Sequence, residues 1–109
     1  MALRFRPHTW TVQPATQPGS VVPQYGSPQT VRGQISGISS ETAFSQFGVE
    51  VTRGFELLCN IADATYHKVG YKVTWGTREF IVRSDANTQN HGMPADHSRF
   101  LIEEVSAYA

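Results

Sequence analysis

The most constraining stretch of this 109-residue chain is residues 71–84. Tyr71, Val73 and Trp75 alternate strictly with Lys72 and Thr74, and Gly76-Thr77 follows. Residues 78–84 then alternate back, with Phe80 and Val82 on one side. A side-chain period of two, broken by two residues with glycine first, is the pattern of a tight β-hairpin. Shorter alternating runs recur on both sides of it. Residues 8–13 (HTWTVQ) place Trp10 and Val12 on one strand face. Residues 30–38 (TVRGQISGI) place Val31, Gly33, Ile35 and Gly37 on one face, and glycines in such a pattern mark a bend, a bulge or a close backbone approach. Residues 48–63 read as a strand interrupted at Arg53-Gly54, and residues 63–69 as a polar connection. Residues 95–105 surround an apolar Phe100-Leu101-Ile102 whose period fits strand or helix; the short, spaced strands elsewhere favour strand.

One stretch breaks the β pattern with helical character. In residues 39–48, Ser40 is placed to cap a helix of one or two turns, with Ala43, Phe44 and Phe47 on its inner side and Gly48 just past its end. So short a helix is marginal alone and must lean on the core. Two loops are long for the chain. Residues 14–30 carry four prolines, Pro14, Pro18, Pro23 and Pro28, which remove ladder donors and hold the backbone extended. Residues 85–94 form the second turn-rich loop. The expected fold is a single all-β (mainly β) domain over residues 1–109, a small β-barrel or sandwich of five to six short strands with one short helix and long loops.

Charge narrows the function. Nine Lys and Arg balance nine Asp and Glu. A protein that grips phosphates normally carries a basic excess, so a free nucleic-acid binder is disfavoured. Neutrality instead favours association. Residues 1–6 carry charge with no apolar stretch after them, so no secretory peptide is expected. Nor is a membrane span expected, since the apolar run at 55–59 is far shorter than the roughly twenty residues one needs. The single cysteine, Cys59, lies in that run and reads as a small buried hydrophobe, consistent with a reducing compartment.

No spacing in the chain demands catalysis. His8, His67, His91 and His97, with Asp96 beside the last, match neither a helix-borne metal pair nor a zinc loop. Cys59 precedes His67 by eight residues, an order that carries no meaning without a positioned base and an oxyanion hole. Glu103 and Glu104 face opposite sides if their segment is a strand, so they make no acid–base pair. Neither a dinucleotide nor a Walker-type glycine motif occurs. Tyr71, Trp75 and Phe80 have the make-up of a base-stacking platform, but on alternating strands they are better read as core. No enzyme activity, metal or cofactor is expected.

The order VRGQISGISSETAF, GVEVTRGFELLC, GYKVTWGTREFIVRS and ADHSRFLIEEV resembles the tailed-bacteriophage head–tail joining (head-closure, stopper or head-completion) proteins across residues 30–104. The hairpin stretch carries most of the likeness. The proline-rich residues 14–30 depart from it, since shorter connections are usual there. The resemblance implies a virion protein at the neck, assembled in the host bacterial cytoplasm. Its copies would form a ring that closes the portal channel after packaging and offers the tail a surface. Identical subunits, portal or adaptor proteins, and tail or tail-terminator proteins would be its partners, with DNA passing through the channel unread. Carried over, the excursion at 39–54 faces the lumen, with Glu41, Gln46 and Arg53 lining or gating it; a plain solvated loop is the equal alternative. Pro14, Pro18, Pro23, Tyr25 and Pro28 are candidates for an inter-subunit arm, because extended polyproline-like chain loses little entropy on docking and suits a neighbour's sheet edge. A tail-terminator ring and a small ligand- or peptide-binding barrel are the other readings, with an enzyme using Cys59 or His97 third.

Overall fold

The computed structural model describes residues 7–15, 25–89 and 97–105. Candidates Pro18, Pro23, His91 and Asp96 lie outside them. Among the described residues seven strands form: β1 (His8–Gln13), β2 (Gln29–Gly37), β3 (Gly54–Cys59), β4 (Lys72–Trp75), β5 (Arg78–Val82), β6 (Asn87–Gln89) and β7 (His97–Glu104). One helix, α1 (Ser40–Phe47), joins β2 to β3, and a 3-10 helix (Ile61–Tyr66) follows β3.

The order β3-β2-β1-β4-β5-β7 is closed by β3 pairing with β7, so six antiparallel strands make a barrel. The extra strand, β6, continues the β5 side of β7: β5 pairs with residues 102–104 and β6 with residues 97–99. Closure removes the exposed edges that an open sheet of these strands would carry. At the gap between β5 and β6, a side chain replaces the ladder. The Leu101 amide donates to Ser84 Oγ at 2.9 Å, and the Arg83 amide donates to the Leu101 carbonyl at 2.8 Å.

The alternation becomes an inside and an outside. Trp10, Val12, Val31, Ile35, Leu57, Cys59, Val73, Phe80, Val82, Phe100 and Ile102 fill the barrel, with Phe55, Tyr71 and Trp75 packed against them. Burial of each large side chain contributes about 1.5–3 kcal/mol. Phe80 is core, as expected, while Tyr71 and Trp75 are half-buried and pack against it. The hairpin forms as read, with Trp75 opposite Arg78 and Gly76 at φ 65° between them. Gly33 is the close approach that its pattern marked: a Cβ there would lie 1.9 Å from the Leu58 carbonyl oxygen and 2.7 Å from Trp10 Cη2.

The last segment forms a strand at His97–Glu104, the reading its neighbours favoured. Several other local expectations are corrected. Residues 85–94 are not all loop, because β6 lies within them. Residues 63–69 are not a plain polar connection, since the 3-10 helix occupies their first half and His67 is buried. Val49 and Val51 belong to no strand; they pack under α1 beside Leu101 and Ala43. Ser39, rather than Ser40, caps α1, its Oγ accepting from the Thr42 amide at 3.1 Å. Gly48 ends the helix at φ 71°, as anticipated. Phe44 points outward and is 57% exposed. Ala43 and Phe47, four residues apart, share the face over Leu101, and one step of 100° carries Phe44 off that narrow face.

Candidate functional site

The two ends of the barrel are closed by different chemistry. Beyond Cys59, the 3-10 helix brings His67 over Phe100, with ring centroids 4.9 Å apart. Trp10 Nε1 donates to His67 Nε2 at 3.2 Å. That nitrogen must therefore lack a proton, and His67 Nδ1 carries one and donates to the Asp63 carbonyl at 3.1 Å. Burial pushes the imidazole down to about 4, against a weaker opposing pull from the Asp63 carbonyl. His67 is thus buried and held in its neutral form at this end of the barrel. Cys59 is fully buried, and burial, reinforced by Asp63, pushes its thiol up to about 12. A thiol held that far from ionisation is a poor nucleophile.

At the other end, Arg78 closes the barrel. Its Nε and Nη2 donate to the two Glu104 oxygens at 2.7 and 2.9 Å. The guanidinium lies 4.9 Å from the Phe55 ring, 5.6 Å from Trp75 and 5.5 Å from Phe80. The hydrogen bonds from Arg78 hold the Glu104 carboxyl below its usual range. Glu103 turns the other way, accepting from the Thr52 amide at 3.0 Å and lying 3.5 Å from Arg83. The two glutamates thus face opposite sides, as their strand register requires. His8 lies near this end: its Nδ1 accepts from the Ile35 amide at 2.9 Å, and its ring meets Trp75 edge-on. It takes an amide that lies past the last β1–β2 backbone pair, His8 with Gly33. His97 opens β7 opposite Gln89. Among the described residues, no group of three or more His, Cys, Asp and Glu side chains gathers to hold a metal.

The ring candidates scatter over the outer surface. Glu41 stands in the first turn of α1, on the wall of an open groove of about 670 Å³ between the helix and residues 50–52. Ser40, Phe44, Glu50, Val51 and Thr52 complete it. Gln46 lines a different groove, toward residues 83–88, and accepts a hydrogen bond from Arg99. Arg99 also lies 3.5 Å from Glu56 and over the Phe47 ring, so this contact straps α1 to the barrel. Arg53 lines neither groove; its carbonyl accepts from the Glu104 amide at 3.0 Å. Glu41, Gln46 and Arg53 therefore do not form one cluster.

The described ends of the proline-rich segment meet each other. The Gly26 amide donates to the Pro14 carbonyl at 2.9 Å, and Gln13 Nε2 donates to the Gly26 carbonyl at 3.1 Å. Ala15 bridges Tyr25, and Lys72 Nζ lies 5.3 Å from the centre of the Tyr25 ring. Pro14, Tyr25 and Pro28 thus belong to the continuation of the β1–β2 ribbon. Sequence reading missed the Phe44–Glu50 groove. It does carry a faint signal: two glutamates and a phenylalanine within ten residues, on either side of a helix-ending glycine.

No family model matches the chain, and no curated protein matches it. The class it belongs to is defined by its fold, a small closed antiparallel β-barrel filled by its own side chains, with a helical excursion on the outside.

Proposed function

We propose that this protein is a non-enzymatic virion component of a tailed bacteriophage. In this reading its copies form a ring at the head–tail connector that closes the portal channel after packaging and receives the tail. The filled barrel is the observation that carries the reading. Trp10, Phe80, Phe100 and Leu57 occupy the space where a container barrel would hold its ligand. Such a body is a scaffold whose working parts lie outside, on α1 and on the ribbon that continues β1 and β2. Head-to-tail contacts between such parts close into a ring when the rotation from copy to copy closes. The even charge suits a passage through which DNA must move without being gripped.

The test is electron microscopy of portal-filled heads mixed with the purified protein, alongside sedimentation of the protein alone. Ring density beneath the portal is the expected result. A protein that binds neither portal complexes nor tails would overturn the reading. Attachment to free tails and not to heads would instead favour a tail-terminator ring.

A further inference from the structure

The chain contains six glutamates: Glu41, Glu50, Glu56, Glu79, Glu103 and Glu104. Four have a cation within reach. Glu56 faces Arg99, Glu79 faces Lys72, Glu103 faces Arg83 and Glu104 faces Arg78. Among the described residues, no ion pair or hydrogen bond holds Glu41 or Glu50. These two line the same groove, one on α1 and one on the returning segment. The same groove is lined by the most exposed large apolar side chain of the described residues, Phe44 at 57%. Val51 lines the groove as well. An exposed phenyl flanked by two uncompensated carboxylates calls for an occupant that is both apolar and basic.

The chain carries such a sequence outside the described residues. Residues 3–6 are Leu3-Arg4-Phe5-Arg6, two cations alternating with two large apolar side chains. We propose that residues 3–6 of a second copy dock in the groove formed by Glu41, Phe44, Glu50 and Val51. Phe5 would pack on Phe44 and Val51, while Arg4 and Arg6 compensate Glu41 and Glu50. Groove and segment are different surfaces of the same chain, so the contact is head-to-tail and propagates from copy to copy. The inference deepens the ring reading by naming its subunit contact, and it stands or falls on self-association alone.

The test uses the full chain in three forms: wild type, Glu41→Lys/Glu50→Lys, and Arg4→Glu/Arg6→Glu. Glu41 and Glu50 lie outside the core clusters, and thermal melts check that each form folds. In sedimentation at low salt, wild type is expected to associate and each variant alone to lose at least tenfold in association constant. An equimolar mixture of the two variants is expected to recover it, because native tail then meets native groove and acidic tail meets lysine groove. A labelled, N-acetylated peptide of residues 2–7 is expected to bind the Arg4→Glu/Arg6→Glu protein saturably in anisotropy. That binding should weaken with salt and be absent for Glu41→Lys/Glu50→Lys. Equal binding of a peptide with Leu3 and Phe5 replaced by glycine would overturn the proposal, as would no saturable binding up to about 1 mM, on the order of the weakest specific association. A monomeric wild type whose groove admits the peptide only after the arginines are reversed would show docking within one chain and equally reject the second copy. Rings on heads that persist with the groove reversed would sink this contact while leaving the connector reading intact.

Discussion

At Gly33 no side chain fits. A methyl group there would lie 1.9 Å from the Leu58 carbonyl oxygen, an atom fixed in the sheet, and against the Trp10 ring. Gly33→Ala is expected to cost about 3 kcal/mol or to abolish folding, read as a fall in the urea midpoint. His67 works through its proton. Its folded value of about 4 lies below the ordinary 6.5, so between those values the unfolded chain binds a proton that the folded chain refuses. Stability therefore rises with pH across that window and falls as pH drops through it, by roughly 3 kcal/mol in total. Urea unfolding between pH 5 and 6.5, above the range of ordinary carboxylates, reads this slope. His67→Gln, which keeps an acceptor for Trp10 and does not titrate, is expected to flatten it.

Elements here are held by their ends and by what they cover. Helix α1 has only eight residues and depends on the Ser39 cap, the Gly48 stop and the patch around Leu101. Ser39→Ala is expected to cost about 1 kcal/mol, and Leu101→Ala between about 2 and 5, because it empties a fully buried site beneath the helix. Equal losses for the two in denaturant titrations would contradict that ranking. The β4–β5 hairpin is tied to β7 by the Arg78–Glu104 fork. Glu104 is held below its usual range, so its contribution is complete above the ordinary value of 4.5 and is lost as pH falls through its folded value. Arg78→Ala should return the Glu104 carboxyl upward in an NMR titration. Arg78→Lys should restore only part of the depression, since an ammonium does not reproduce the two parallel hydrogen bonds.

Closure of the barrel ties distant segments into one unit: β3 meets β7 across about forty to fifty residues, and β1 meets β4 across about sixty. Cys59 reports on that unit, because it is fully buried on β3 and its thiol is pushed up to about 12. A thiol reagent is expected to label the native protein at the rate of global unfolding, accelerating steeply in denaturant. Fast labelling of the native state would mean that the β2–β3–β7 wall opens on its own.

What the linear pattern determined is the strands and their faces. Period-two alternation at 8–13, 30–38 and 71–82 is local, and a glycine that leads a two-residue break selects its turn without help from the rest of the chain. The cap and stop of α1 were legible for the same reason, to within one residue at Ser39. Which strands become neighbours, and that β3 and β7 close the circle, was decided by three-dimensional packing. So were the outward turn of Phe44, the off-strand packing of Val49 and Val51, the burial of His67 and the two unpaired glutamates on one groove. The packing of Val51 and of His67 depends on Leu101 and on Trp10 and Phe100, dozens of residues away, and burial and ion pairing are properties of the assembled neighbourhood rather than of spacing along the chain.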